Sequence, residues 1–419
     1  MNLLLNSPFT INHSQFKISG SKSETNRLLI LKALYPNISI ENASNSDDSK
    51  VMTKALQAST PNTQHPTPNT QLIDVHHAGT AMRFLTAYFA IQEGKEVILT
   101  GSSRMKERPI KILVDALREL GAEISYLENE GFPPIKINGK KILKNKISLP
   151  AHISSQYISA LLLIAPKLEN GLDIELVGKI TSKPYIAMTL ALLNQIGVKT
   201  SFENNNIKIH SKFKIQNSKF IVESDWSSAS YWYSVVALSE IGTQITLSSY
   251  KENSLQGDSV VAEIYENFGV ATIFNNNNSI TLSKTENSKL STVNIELNNT
   301  PDIAQTIAVT CLGLGLECNL SGLHTLKIKE TDRLQALKTE LSKLGAKVSI
   351  TDDSLFLKST SILNNQVSIA TYQDHRMAMA FAPLVIKTPI IIENADVVSK
   401  SYPNFWNDLQ EVGFTIKEI

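Results

Sequence analysis

The sequence is poor in the features that mark the simpler function classes. Two cysteines occur in 419 residues, Cys311 and Cys318, close together in one apolar stretch. They offer neither a disulfide framework nor zinc-ligand spacing, which fits a reduced, cytoplasmic setting. Adjacent His76 and His77 are not spaced for one helix face, so no metal site is expected. No run approaches the ~20 apolar residues of a membrane helix. The opening "MNLLLNSPFT" lacks the basic segment and long apolar core of a signal peptide. Neither sign of charge is in excess: 40 Lys+Arg stand against 39 Asp+Glu, a net charge of +1. No global field therefore attracts nucleic acid or an anionic membrane, and any anion site must be built locally. The even balance, with no obvious apolar patch, leans towards a monomer.

What the chain does have is internal repetition. Hydrophobic residues at 42% and charged residues at 19% are ordinary for a globular protein, and the length favours two domains. One phrase, an amphipathic helix followed by Gly and a short β-like run, recurs at Gly121, Gly197, Gly269 and Gly345, spaced 76, 72 and 76 residues. A further copy closes the chain at Gly413. Each Gly suits the residue just past a helix, where a left-handed conformation carries no steric cost. A second phrase opens a nearly apolar helix with a polar turn. Its six copies are "SGSKSETNRLLILKAL", "AGTAMRFLTAYFA", "SSQYISALLLIA", "DWSSASYWYSVVAL", "TPDIAQTIAVTCLGL" and "DHRMAMAFAPLVI". Six units in 419 residues give about 70 residues each, in line with the first period.

The chain therefore reads as six two-helix, several-strand units. The apolar helices are expected to be buried and the amphipathic ones to lie outside against a sheet. In "RPIKILVDALREL", Ile110, Leu113, Val114 and Leu117 share a face, and Pro109 suits the first helical position. Three units closing around shared parallel helices make one domain, and two such domains use all six. Residues 59–71, "STPNTQHPTPNTQ", show no period and read as a surface loop, where the first unit lacks its Gly-strand phrase.

The polar turns carry the chemistry. Helix N-termini present unpaired N–H groups and attract anions. At these turns stand Lys22, Ser23 and Arg27; Gly79, Thr80 and Arg83; Ser154, Ser155 and Gln156; Asp302; and Asp374, His375 and Arg376. Two faces of this kind, opposed, would make a cleft for a multiply charged ligand. Further cations are Arg104, Lys106, Arg108 and Lys400. Ordinary N-capping explains most of the Ser, Thr and Asp. Arg27 and Arg83 are different, because a cation on a buried face needs an anionic partner. His375 reads first as a core histidine, and the "DWSSASYWYSVV" aromatics as core. The stretch "KIKETDRL", residues 327–334, holds three cations and two acids. It is either a solvated helix start or an acid–base group beside an anion clamp. Asp332 reads as a first-turn acid, and Leu334, Leu337, Leu341 and Leu344 as core behind it.

The phrases "GSKSETNR", "AGTAMR", "RMKERPI", "SSQY", "SKPY", "KETDR" and "DHRMAM", in that order, resemble the 5-enolpyruvylshikimate-3-phosphate (EPSP) synthase family across essentially the whole chain. The resemblance implies an α/β fold of two similar domains, each of three βαβαββ units around buried parallel helices, an inside-out α/β barrel. By analogy, residues 20–223 form a shikimate-3-phosphate-binding domain. Residues 1–19 plus 224–419 form a second domain that carries phosphoenolpyruvate contacts and acid/base residues. It implies enolpyruvyl transfer from phosphoenolpyruvate to the 5-hydroxyl of shikimate 3-phosphate, with no metal or organic cofactor. Both small-molecule substrates carry phosphate at about −1.5 to −2 and a carboxylate, which explains the cations.

By the same resemblance, Lys22, Ser23, Arg27, Ser154, Ser155, Gln156, Ser182, Tyr185, Asp302 and Lys329 are expected around shikimate 3-phosphate. Lys22, Gly79, Arg108, Gln156, Arg333, Arg376 and Lys400 are expected around phosphoenolpyruvate. Asp302, with Lys329, would accept or orient the hydroxyl proton. Glu330 would protonate the methylene carbon, with Lys22 the second candidate. "KETDR" is thus read as catalytic. His77 and Thr325 depart from residues common in the family and stay outside the expected site. Gly79 keeps the space that glyphosate occupies in the family. The alternatives are a UDP-N-acetylglucosamine enolpyruvyl transferase, whose reactive loop cysteine has no counterpart in "SSRMKERPI", and a non-catalytic phosphosugar-binding protein of the same fold.

Overall fold

The structure is a computed structural model. It describes every residue except 8–10, 12–13, 59–69, 153, 216, 289, 359 and 361. The expected loop at residues 59–71 lies outside the described residues, apart from its last two.

The alternation of apolar and amphipathic helices is a structural fact. Six helices, Lys22–Leu34, Gly79–Ala90, Ser155–Ile164, Trp226–Leu238, Ala304–Leu314 and His375–Phe381, are largely or wholly buried. Each is followed by a second helix with one buried face: Asp47–Ala58, Lys111–Leu120, Lys183–Gln195, Val261–Glu266, Arg333–Lys343 and Phe405–Glu411. The repeated glycines Gly121, Gly197, Gly269, Gly345 and Gly413 all take positive φ, from 75° to 113°. That lets the chain reverse from helix into strand without a Cβ clash.

The βαβαββ unit is clearest at Gln71–Asp74, Glu96–Thr100, Glu123–Tyr126 and Ile135–Asn138. The first two strands pair in parallel, and the hairpin adds antiparallel to the second. The same pattern recurs at Lys146–Pro150 to Asn206–Ile209 and at Thr292–Glu296 to Leu355–Lys358. Two units borrow strands from afar. Gln15–Phe16 pairs in parallel with Gln244–Ser248, and Ser218–Ile221 with Ile38–Glu41. The last sheet is completed by Leu3–Asn6, which lies between Ile390–Ile392 and Thr415–Glu418. Five sheets thus have four strands. The Ile38–Glu41 sheet has two among the described residues, where the Gly-strand phrase is missing from the sequence.

The chain divides into two compact units, Lys22–Val222 and Met1–Ser21 with Glu223–Ile419. Within the first, the helices starting at Lys22, Gly79 and Ser155 pack on one another. Arg27, Phe84 and Ser159, each the fifth or sixth residue of its helix, meet at one level. Equal depths mean that these helices run the same way. In the second unit the Ser230–Thr306 and Ser234–Thr310 hydroxyl contacts keep a constant offset, so those helices are parallel too. The second core also holds the aromatics of the Trp226 helix, edge-on to Phe16, Tyr250 and Phe405 and tilted against Tyr265. Cys311 and Cys318 are buried and free.

Two local expectations are corrected. Pro109 does not open its helix. Ile110 caps it at φ −132° and ψ 0°, and the helix begins at Lys111. The Pro109 carbonyl instead accepts from Arg83 Nη2 at 3.1 Å and Tyr157 Oη at 2.5 Å. Asp332 is the N-cap of Arg333–Lys343 rather than a first-turn acid, and it accepts from the Gln335 N–H at 3.0 Å.

Candidate active site

In the Lys22–Val222 unit the buried helices start together. Thr80 and Gln156, each the second residue of its helix, meet through Gln156 Nε2 donating to Thr80 Oγ1 at 3.3 Å. Ser154 caps the third helix, accepting from the Gln156 N–H. Lys22 opens the first helix, with its amine 3.6 Å from Asp48 Oδ2, and His77 Nε2 lies 3.8 Å from Oδ1 of the same carboxylate.

Arg27 is buried, and its hydrogen bonds go to neutral acceptors. It donates to Thr189 Oγ1 at 2.8 Å, Ser159 Oγ at 2.9 Å, the Ser23 carbonyl at 2.8 Å and the Tyr185 carbonyl at 3.3 Å. A cage of neutral dipoles solvates the cation, and the nearby Glu24 carboxylate offsets part of its charge. Burial accordingly pushes the guanidinium down to about 10. Arg108 is a second buried cation. It is 8% exposed, and its buried Nε has no hydrogen-bond partner. Its guanidinium lies over Gly79, where a Cβ would fall 2.7 Å from Nη1. Ser182 is buried and held at φ 54°, a conformation that costs a non-glycine residue energy.

The other unit compensates its cations. Arg333, 2% exposed, donates Nε to Asp374 Oδ2 at 2.6 Å, Nη1 to Asp302 Oδ1 at 3.0 Å and Nη2 to Glu330 Oε2 at 2.9 Å. Arg376 Nη2 donates to Asp302 Oδ2 at 3.0 Å, and Lys329 Nζ is 3.5 Å from Asp302 Oδ1. Burial alone would raise the Asp302 carboxyl, but Arg376, Lys329 and Arg333 outweigh it and hold the group well below the usual carboxylate range. Burial pushes the Lys329 amine down against the pull of Asp302. Burial would also lower Arg333, but Asp374, Glu330 and Asp302 together raise it. Lys400 Nζ donates to the Gln373 carbonyl at 2.7 Å. The arrangement is two sets of anion-attracting groups, one gathered at helix starts, the other centred on a carboxylate between cations.

The match to known proteins decides the family. The EPSP synthase (3-phosphoshikimate 1-carboxyvinyltransferase) family model matches residues 12–409. The chain belongs to the EPSP synthase family. It is 45% identical over 421 residues to the 3-phosphoshikimate 1-carboxyvinyltransferase of Bacteroides fragilis strain YCH46, covering 100% of this chain and 99% of that protein. It is 37% identical over 437 residues to that of Haemophilus influenzae strain Rd, covering 97% and 98%. The EPSP synthase structure from Acinetobacter baumannii superposes with a TM-score of 0.79 at 20% identity, covering 100% of each chain. At that identity the superposition speaks to the fold, which is the two-domain α/β architecture of the EPSP synthase family.

Within this EPSP synthase family chain, the residues singled out in the sequence fall into connected groups. Asp302, Lys329, Glu330, Arg333 and Arg376 form one network, and Ser23, Arg27 and Tyr185 share another. Lys329 and Glu330 precede the helix that starts at Arg333, so the "KETDR" stretch is no solvated helix face. Leu334, Leu337, Leu341 and Leu344 are all fully buried behind it. Sequence reasoning missed Ser159 and Thr189, which hold Arg27, and Asp48 beneath Lys22. Asp374 was seen only as a helix opener. It is that, accepting from the Arg376 N–H at 2.8 Å, and it is also the carboxylate closest to Arg333. Among the described residues no group of His, Cys, Asp and Glu could hold a metal ion, and no helix is long and apolar enough to cross a membrane.

Proposed function

We propose that the chain is a 3-phosphoshikimate 1-carboxyvinyltransferase that works by addition and elimination through the residues named above. The enolpyruvyl group of phosphoenolpyruvate passes to the 5-hydroxyl of shikimate 3-phosphate, and phosphate leaves, one step on the route to chorismate and the aromatic amino acids. The observation that carries the residue assignment is the carboxylate of Asp302 held between Arg376, Arg333 and Lys329. A merely anion-binding protein has no use for a half-buried carboxylate among its cations.

The 5-hydroxyl oxygen forms a bond to C2 of phosphoenolpyruvate and gives up its proton, while C3 gains one and becomes a methyl group. The tetrahedral adduct then breaks its C2–O bond to phosphate, and C3 loses a proton. Asp302 is held too low to be a strong base, which favours orienting the hydroxyl over accepting its proton. Lys329 is the better acceptor in its neutral form, which burial favours against the pull of Asp302. Glu330, 20% exposed beside Arg333, is the proposed acid at C3, with Lys22 the second candidate. Ser23, Arg27, Ser154, Ser155, Gln156, Ser182 and Tyr185 are assigned to shikimate 3-phosphate. Gly79, Arg108, Arg333, Arg376 and Lys400 are assigned to phosphoenolpyruvate, with Lys22 and Gln156 serving both. The buried guanidiniums of Arg27 and Arg108 support this, since a guanidinium suits a phosphate or carboxylate.

Running the reaction in D₂O tests the chemistry. A methyl intermediate scrambles its hydrogens, so deuterium enters the vinyl methylene of the product. A product without deuterium there contradicts addition and elimination. Gly79→Ala tests the Arg108 assignment. The new Cβ would sit 2.7–3.0 Å from the guanidinium, so Arg108 must shift. A displacement of this size raises KM for phosphoenolpyruvate by about tenfold or more and leaves KM for shikimate 3-phosphate near its starting value. Glyphosate should inhibit the unaltered protein well below millimolar at phosphoenolpyruvate near KM, and inhibit Gly79→Ala less. Inhibition only at millimolar glyphosate, or equal shifts in both KM values, would remove the assignment.

A further inference from the structure

Asp258 is buried and has no part in the network described above. It is 2% exposed in the Gly257–Val260 turn. Its Oδ2 accepts a short hydrogen bond from the Ser227 hydroxyl, and its buried Oδ1 has no hydrogen-bond partner. Ser227 is the second residue of the Trp226–Leu238 helix. The same Ser227 oxygen accepts from Arg376 Nη2 at 3.4 Å. Arg376 Nη2 also donates to the Asp302 carboxylate at 3.0 Å, and Nη1 to the Asp302 carbonyl at 3.1 Å. The guanidinium is therefore held by Asp302 and by a chain that runs Arg376 N–H to Ser227 O–H to Asp258. Donation to a carboxyl group makes the serine oxygen a better acceptor, so the chain is cooperative.

We propose that Asp258 is a positioning residue for Arg376, acting through the Ser227 hydroxyl to set the guanidinium for the anionic substrate. This rests on the assignment of Arg376 to phosphoenolpyruvate. The charge of Asp258 is restrained by its surroundings. Asp302 from the Pro301–Ile303 turn and Asp225 at the start of the Trp226 helix repel a second charge, and Arg376 and the Ser227 hydrogen bond favour one. Burial first, then Asp302, push the carboxyl up to about 7. A neutral Asp258 leaves three carboxylates, Asp302, Glu330 and Asp374, facing three cations, Arg333, Arg376 and Lys329. Ionised, it adds a fourth negative charge where an anionic substrate must bind. Substrate binding is then linked to the neutral form, and KM for phosphoenolpyruvate rises as pH climbs above about 7.

The stability sign is the reverse of the usual carboxylate. The folded group holds its proton to higher pH than the unfolded one, so its burial weakens the fold as pH rises from about 4 to about 7.

The experiment measures both KM values and the thermal midpoint from pH 6 to 8.5 for the unaltered protein, Asp258→Asn, Asp258→Ala, Ser227→Ala, Arg376→Ala and the Asp258→Ala/Arg376→Ala double variant. Loss of a hydrogen bond to a charged group predicts about tenfold higher KM for phosphoenolpyruvate in Asp258→Ala and Ser227→Ala, with KM for shikimate 3-phosphate unmoved. Asp258→Asn keeps the acceptor without the charge. It should restore the lower KM and abolish its rise above pH 7. In the Arg376→Ala background, Asp258→Ala should add nothing. The proposal is overturned if Arg376→Ala raises KM for phosphoenolpyruvate while Asp258→Ala and Ser227→Ala do not, or if Asp258→Asn keeps the unaltered pH profile. An Arg376→Ala variant with unchanged KM for phosphoenolpyruvate overturns the Arg376 assignment, and this proposal with it.

Discussion

Asp302→Ala and Glu330→Ala each lower kcat for phosphate release by about 10²–10⁴-fold, the usual contribution of a positioned acid or base. The two variants should differ in what accompanies that loss. Asp302 is shared by Arg333, Arg376 and Lys329, so its removal leaves three buried or half-buried cations facing each other. Asp302→Ala should therefore also weaken substrate binding and the fold. Asp302→Asn keeps the shape and one oxygen acceptor, and it isolates the charge. Glu330 touches Arg333 through one oxygen, and Arg333 keeps Asp374 and Asp302 without it. Glu330→Ala should thus lose kcat with KM values little changed. Steady-state kinetics with thermal melts separate the cases. A loss below about tenfold in Glu330→Ala would remove it as the acid at C3.

Asp374→Ala costs about 3–5 kcal/mol of stability, the range for breaking a buried ion pair from one side. Asp374 has no exposed surface and accepts from Arg333 Nε at 2.6 Å, Arg333 Nη2 at 3.4 Å and the Arg376 N–H at 2.8 Å. The substitution removes a helix cap and strands most of a guanidinium that is 2% exposed. Asp374→Asn retains the cap and one acceptor and should cost clearly less. Denaturant midpoints for the two variants check this. A cost below about 1 kcal/mol for Asp374→Ala would mean that Asp302 and Glu330 suffice for Arg333. The pH dependence has the ordinary sign at Asp302. Its carboxyl is held low in the fold, so its stabilisation is present above the unfolded value near 4 and is lost as pH falls below it.

Much of the architecture was legible because it repeats. Gly121, Gly197, Gly269, Gly345 and Gly413 mark helix ends that the backbone does turn at, and the apolar helices between them are the buried ones. The absence of one Gly-strand phrase corresponds to the one sheet with two strands among the described residues. The charged motifs were legible as types, since Lys, Arg and Asp at helix starts say what a site handles. Their partners were not. Ser159 and Thr189 lie 132 and 162 residues from Arg27, and nothing local marks an apolar helix's serine as a guanidinium acceptor. The expected anion beside Arg27 is Glu24, but the hydrogen bonds to the guanidinium come from hydroxyl and carbonyl dipoles, which solvate a cation as well. Asp258 was invisible for the same reason, since its meaning arises only where Ser227 and Arg376 meet it. Pro109 misled because a permissive first-turn residue does not oblige a helix to start there.

The most direct test of the central claim is phosphate release from phosphoenolpyruvate by the purified protein, with shikimate 3-phosphate and separately with UDP-N-acetylglucosamine. The account predicts turnover with shikimate 3-phosphate alone, lost in Asp302→Ala and Glu330→Ala. Turnover with the nucleotide sugar instead, or tight binding of shikimate 3-phosphate without any release, would contradict it.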